Sequence, residues 1–148
     1  MKSNNVTVIG LQWGDEGKGK VVDALADTCQ YVARYCGGAN AGHTVNVGGE
    51  KFALHLIPCG ILHDGVCNVV GNGLAFDPTV ALQELDALIE RDVKIGPDNF
   101  RISSAAQVVM PWPKLQDTPS EASLGAGKIG ATPPGTGPCS RRHPHRPP

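Results

Sequence analysis

The sequence predicts an α/β protein on a mostly parallel sheet with flanking helices, P-loop-like in its opening segment. Three observations carry that reading. Short β-branched runs alternate with segments of helical period, glycine-rich loops directly follow two of those runs, and an Asp-Pro pair opens a helix in mid-chain. The first run is Val6, Thr7, Val8 and Ile9, read as a buried strand. Gly10 to Lys20 follow as a glycine-rich turn, and Val21 to Ala26 can continue as the first turns of a helix. Tyr31 to Tyr35 form the second β-branched and aromatic run, ending in a second glycine-rich loop. Residues 44–47 and 50–56 are expected to pair as a hairpin across Gly48-Gly49. Asn68, Val69 and Val70 predict a further strand running into a Gly71-Asn72-Gly73 turn. Asp77 is the expected cap and Pro78 the first residue of a helix. Val80, Leu82, Leu85, Leu88 and Ile89 would be its buried stripe, with Glu84, Asp86 and Glu90 mostly solvated. Residues 100–102 and 107–110 are two more candidate strands.

The first loop is the more informative. Strand, glycine-rich turn and helix is the arrangement in which backbone N–H groups and a helix N-terminus hold a phosphate. Gly14 to Lys20 fit the spacing G-x-x-x-x-G-K, but Val21 stands where a P-loop has Ser or Thr. The loop instead contains two carboxylates, Asp15 and Glu16. A carboxylate facing a phosphate is repulsive unless it holds a metal or works as a base. The second loop, Gly37-Gly38-Ala39-Asn40-Ala41-Gly42-His43-Thr44, places His43 at the exit of a glycine-rich turn. A surface or capping histidine is the plain alternative; the clustered glycines favour close backbone approach to a ligand. Asp15 and His43 together offer a base and an acid on two phosphate-type loops.

These two loops resemble the signature loops of the adenylosuccinate synthetase family, as do the run Leu54 to Leu62 and the Gly71-Asn72-Gly73 segment. The resemblance extends from Val6 to about Gly130 and implies residues 1–130 to be the nucleotide-binding part of such a domain. It implies a ligase of purine nucleotide synthesis that joins IMP to L-aspartate, driven by GTP hydrolysis, with Mg²⁺. By the same resemblance Asp15 would take the N1 proton of IMP, His43 would act as acid at the transferring phosphoryl group, and Lys18 would neutralise phosphate charge. Gly14, Asp15, Glu16, Gly17, Lys18, Gly19 and Lys20 would bind GTP, joined by Gly42, His43 and Thr44. Asp15, Glu16, Gly17, Lys18, Asn40, Ala41, Gly42, His43 and Thr132 would line the IMP site. Mg²⁺ would sit on Asp15 and the main-chain oxygen of Gly42. A cytoplasmic homodimer is implied for the full-length family member.

Composition limits the other classes. The chain has 148 residues, 13 Lys plus Arg and 14 Asp plus Glu, a balance that argues against a general nucleic-acid or membrane-surface binder. No apolar stretch is long enough to span a bilayer, and the N-terminus does not read as a signal peptide. The five cysteines, Cys29, Cys36, Cys59, Cys67 and Cys139, lack C-x-x-C spacing and read as reduced thiols rather than a zinc site. Cys36 is expected to be a small buried residue beside the second loop.

The end of the chain departs from the family. Residues 111–148 hold nine of the twelve prolines, and residues 131–148 read as a divergent Pro/Arg/His-rich tail, expected to be disordered. Pro133 and Pro134 replace the Gly-Arg of a family phosphate loop, fixing φ and removing amides. Thr132 still falls on an IMP-contacting threonine, and Arg146 falls by count on an arginine that reaches the partner subunit's IMP. A slipped reading frame would account for this composition; a solvated basic tail is the alternative. Three readings stay open: an incompletely recorded synthetase, a nucleotide-binding module without turnover, and a non-catalytic piece prone to aggregate through exposed sheet edges. For the 148 residues alone no turnover is expected.

Overall fold

In a computed structural model, residues 5–13, 16–40 and 42–110 are described. The element order is α1 (Lys18–Ala26), β1 (Tyr31–Gly37), β2 (His43–Val47), β3 (Glu50–Leu54), a 3₁₀ turn (Cys59–Leu62), β4 (Cys67–Phe76), α2 (Pro78–Ile89), β5 (Phe100–Ile102) and β6 (Gln107–Val108). β4 is the centre of a parallel sheet, with β1 on one side and β5, then β6, along the other part of its length. β2 and β3 form a separate antiparallel hairpin. This is a mixed α/β architecture with a parallel sheet, the class predicted.

The hairpin forms as its turn residues demand. Gly48 and Gly49 have φ of +60° and +88°, the pair of positive values that a tight two-residue turn needs. Val45, Phe52 and Leu54 point inward and pack with Ile57, Cys59, Ile61 and Leu88 in the main apolar cluster. A second cluster, Leu56, Val70, Leu74, Phe76 and Ala81, lies between the sheet and α2. Ala26 of α1 packs on Val32 and Val66, which seats that helix against the start of β1. The core is thus assembled around the elements that carry the two loops.

Four expectations are corrected. Residues 6–9 form no strand, and Val6 and Ile9 are largely exposed. β propensity is fit to a pleated, half-buried surface, and none of the described strands pairs with this run to provide one. Gly71, Asn72 and Gly73 are not a turn: β4 runs straight through them. β1 shifts register between Arg34 and Cys36, and a Cβ on Gly73 would lie 2.5 Å from the Tyr35 carbonyl oxygen. The glycines therefore let a bulged neighbour approach, rather than reversing the chain.

The third correction concerns α2. Its buried face is Ala81, Glu84 and Leu88, whereas Leu82 and Ile89 are exposed. Glu84 is buried because its carboxylate accepts the backbone N–H groups of His55 (2.8 Å), Leu56 (2.9 Å) and Ile57 (3.3 Å). Those amides leave the hairpin ladder, so β3 stops at Leu54 instead of reaching residue 56. Cys36, last, is exposed rather than buried. It follows the β1 bulge, where the strand no longer alternates regularly between core and solvent.

Candidate functional site

Two glycine-containing loops meet at the N-terminal end of α1. Gly17 caps this helix with φ of +77°, and it has no side chain with which to supply a cap hydrogen bond. A left-handed residue at this point suits glycine, since any Cβ would be strained there. Glu16 folds back on the loop: one of its oxygens accepts the Gln12 amide at 2.9 Å, and the other meets Lys18 Nζ at 2.6 Å. A Cβ on Gly10 would lie 2.5 Å from Lys18 Nζ, so glycine there makes room for that ion pair. One of the two anomalous loop carboxylates thus has a structural role. Lys20, on the outer side of the helix, is exposed.

The second loop arrives on the same turn of helix. His43 opens β2, and a Cβ on Gly19 would lie 2.5 Å from His43 Cδ2 and 2.8 Å from Cγ. The imidazole therefore rests on the backbone of Gly19, a contact that only glycine permits. From behind, the Cys59 thiol donates to the Gly19 carbonyl at 3.5 Å. Burial pushes that thiol up to about 11, so it stays protonated as a donor. Gly42 is packed against His55, whose Nε2 would be 2.6 Å from a Cβ placed there. Asn40 and Thr44 are exposed on either side of this contact.

The electrostatics keep His43 neutral. Burial is the main cause, with the nearby Arg34 and His55 adding to it and Asp23 opposing, and together they hold the imidazole at about 4. His43 Nε2 is buried without a hydrogen-bond partner among the described residues, as is Nη1 of Arg34. A second histidine behaves in the opposite way. Burial alone would lower His63, but Asp23 at 2.7 Å from Nε2 and Asp27 at 2.5 Å from Nδ1 outweigh it and raise its pKa. His63 so links the 3₁₀ turn to α1, behind the loop contact.

Of the predicted site residues, the structure brings together Gly17, Lys18 and Gly19 of the first loop with Gly42 and His43 of the second. Gly14, Asp15, Ala41, Thr132, Arg146, Cys139 and the segment 131–148 lie outside the described residues. A cavity of about 620 Å³ opens beside the second loop, lined by Asn40, Gly42, Leu54, His55, Gln83 and Arg91 among others. Among the described residues its lining includes none from the first loop. Arg34, Glu84 and His63 are the polar groups that sequence reasoning missed here. For Glu84 a signal existed, since Ala81, Glu84, Leu85 and Leu88 share the i, i+3, i+4, i+7 spacing of one helix face. Among the described residues no group of three His, Cys, Asp or Glu is placed to hold a metal ion, and no helix is long and apolar enough to cross a membrane.

Comparison with known proteins covers the stretch of chain that carries these loops. The family model described as adenylosuccinate synthetase matches residues 7–147. An adenylosuccinate synthetase of Anaeromyxobacter sp. is 52% identical over 134 residues, and one of Brachyspira hyodysenteriae is 53% identical over 136. These alignments cover 90% and 91% of this chain and 31% of each relative, so the chain spans about a third of their length. The structure of fully ligated adenylosuccinate synthetase from Plasmodium falciparum superposes with a TM-score of 0.77 at 39% identity, over 88% of this chain and 30% of that one. A succinoaminodeoxyadenylate synthetase of cyanophage S-2L, solved with dGMP and dATP, shares the fold with a TM-score of 0.63 at 24% identity, over 90% of this chain and 37% of its own. This chain belongs to the adenylosuccinate synthetase family.

Proposed function

We propose that this chain is the phosphate-handling portion, within residues 1–130, of a ligase that joins IMP to L-aspartate at the expense of GTP. The observation that carries the reading is the seating of the His43 ring on Gly19, which unites the two loops at an open helix N-terminus. Backbone N–H groups and the helix dipole there suit an anion, and Lys18, held in the loop by Glu16, would add its positive charge on turning to a bound phosphate. In the reaction Asp15 accepts the N1 proton of IMP, and the 6-oxygen attacks the γ-phosphorus of GTP as GDP leaves. The amine of aspartate then displaces phosphate at C6, losing a proton, to give adenylosuccinate. Phosphoryl transfer of this kind needs positioning and charge neutralisation more than covalent help.

His43 enters this scheme as an uncharged imidazole, given its low pKa. It acts as a hydrogen-bond donor to the transferring phosphoryl group, where negative charge develops. Gly14 to Lys20 with Gly42, His43 and Thr44 take the GTP phosphates; Asp15 to Lys18, Asn40 to His43 and Thr132 face IMP. Mg²⁺ suits the donor set, because Asp15 and the Gly42 carbonyl supply hard oxygens and this ion completes its shell with water and substrate phosphates. When bound it neutralises phosphate charge. Cytoplasmic location and a homodimer belong to the same reading of the longer protein, and residues 131–148 to a divergent tail.

Thermal unfolding with and without Mg²⁺·GTP tests the proposal. A ligand that binds only the folded state at a hundredfold excess over Kd stabilises by about 2.7 kcal/mol. The increase is expected for the chain and expected to shrink in Lys18→Ala and His43→Ala. If neither GTP nor inorganic phosphate moves the transition, the phosphate-site reading fails. Mixed with IMP, aspartate and GTP, the 148 residues alone are expected to form no adenylosuccinate, and a measurable rate would overturn that part.

A further inference from the structure

Arg34 and Glu84 lie behind the second loop and have no part in the chemistry proposed above. Arg34 is on β1 opposite Val70, on the strand face that also carries the buried Val32. Its Nη2 donates to the Gly38 carbonyl at 3.1 Å, four residues on, while its Nη1 is buried with no acceptor among the described residues. Of the surrounding charges, Glu84 acts most strongly on this guanidinium and opposes the effect of burial. Glu84 in turn accepts the amides of His55, Leu56 and Ile57, the residues that leave β3. Leu54, the residue before them, is the ladder partner of His43, and the His55 ring packs on Gly42.

The second loop is therefore held at both ends. Arg34 ties its entry at Gly38, and Glu84 ties the strand end against which its exit, Gly42 and His43, is packed. Three backbone amides compensate the burial of the Glu84 carboxylate, so losing it would leave buried donors unmatched, and one nitrogen of the Arg34 guanidinium is buried without an acceptor among the described residues. We propose that Glu84 and Arg34 are a positioning pair that fixes the second glycine-rich loop, and with it the place of His43. The proposal rests on the functional reading above only for what the loop binds.

Amide hydrogen exchange followed by NMR on the full 148-residue chain tests it, in wild type, Glu84→Gln, Arg34→Lys and the surface control Glu50→Gln. Glu50 pairs with Arg91 and sits at the turn end of the hairpin, opposite the end that carries His43. Glu84→Gln is expected to shift the amide signals of residues 55–57, its direct partners. It should also speed exchange at residues 38–40 and 42–44 by about five- to tenfold, roughly the loss of one hydrogen bond. Arg34→Lys, which keeps the charge but lacks the fork that reaches Gly38, should speed the loop while leaving the 55–57 signals in place. Glu50→Gln should change neither. If Glu84→Gln moves residues 55–57 and the loop exchanges as in wild type, Glu84 is a local cap and the proposal is wrong. Should Glu84→Gln not fold, Arg34→Lys decides: loop exchange unchanged from wild type overturns the pair. Titration with Mg²⁺·GTP separates the two readings, since a wild-type chain that binds no nucleotide sinks the functional one and leaves the exchange result standing.

Discussion

The two helices of this chain begin in opposite ways. α2 starts on Asp77, whose buried carboxylate accepts the amides of Thr79 at 3.0 Å and Val80 at 3.4 Å, with Pro78 preset for the first turn. α1 starts on Gly17, in a left-handed conformation and with no side-chain cap. α2 closes its N-terminus from within and turns a buried acid, Glu84, to the service of a neighbouring strand. At the start of α1 the described residues include the Gly19–His43 contact and the Lys18–Glu16 pair. The lesson is that one helix end is bonded by its own cap side chain while the other begins on a glycine that can make no such bond.

Substitutions at the two ends sharpen the contrast. Asp77→Ala should have the largest effect, about 2 kcal/mol lost from the unfolding free energy, because a buried cap and its amides lose their partner. Urea unfolding measures it, and the ligand response of the α1 end should survive. An unchanged midpoint would show that α2 does not depend on this cap. Gly19→Ala comes next, at about 1–2 kcal/mol, since its Cβ would collide with the His43 ring. Here stabilisation by Mg²⁺·GTP should fall as well, and a variant that binds nucleotide normally would sever the loop contact from function. Gly17→Ala should cost about 1 kcal/mol by backbone strain alone, as nothing lies within 4 Å of the added Cβ.

The effect smallest near neutral pH is in pH dependence, where two histidines near α1, His43 and His63, oppose one another. His43 is lowered in the fold, so its contribution is fully present above its unfolded pKa of 6.5 and is lost as pH falls from there toward about 4. His63 is raised by Asp23 and Asp27, so its contribution is present below the unfolded value and is lost as pH rises through the higher folded pKa. A melting-temperature profile of His63→Gln should therefore lose stability on the acid side relative to wild type and converge with it in base. His43→Gln should show less acid-side loss than wild type. Parallel profiles for all three proteins would contradict both assignments.

Much of this was legible in the residues. Gly48-Gly49 with flanking alternation names a hairpin, and Asp77-Pro78 names a helix start, because the physics of each lies within a few neighbouring residues. The errors fall where a partner distant in sequence decides. Residues 6–9 have strand composition and no strand beside them. Leu82 and Ile89 look like core, and Glu84 like surface, until the unpaired amides of residues 55–57 are set against α2. Gly71 and Gly73 look like a turn until the bulge of β1 lies across them.

By itself, then, the sequence determined the α/β class, the turn and cap chemistry, and two glycine-rich loops specific enough to mark the family. Those properties rest on local conformational preference, on φ > 0 at glycine and on side chains that bond their own backbone. Only the tertiary structure decided that His43 rests on Gly19, that Glu84 is buried, and that the pKa of His43 is lowered while that of His63 is raised. Burial, desolvation and the choice of hydrogen-bond partner depend on which surfaces meet. Residues 28 positions apart, such as Leu56 and Glu84, reveal that only once the chain has folded.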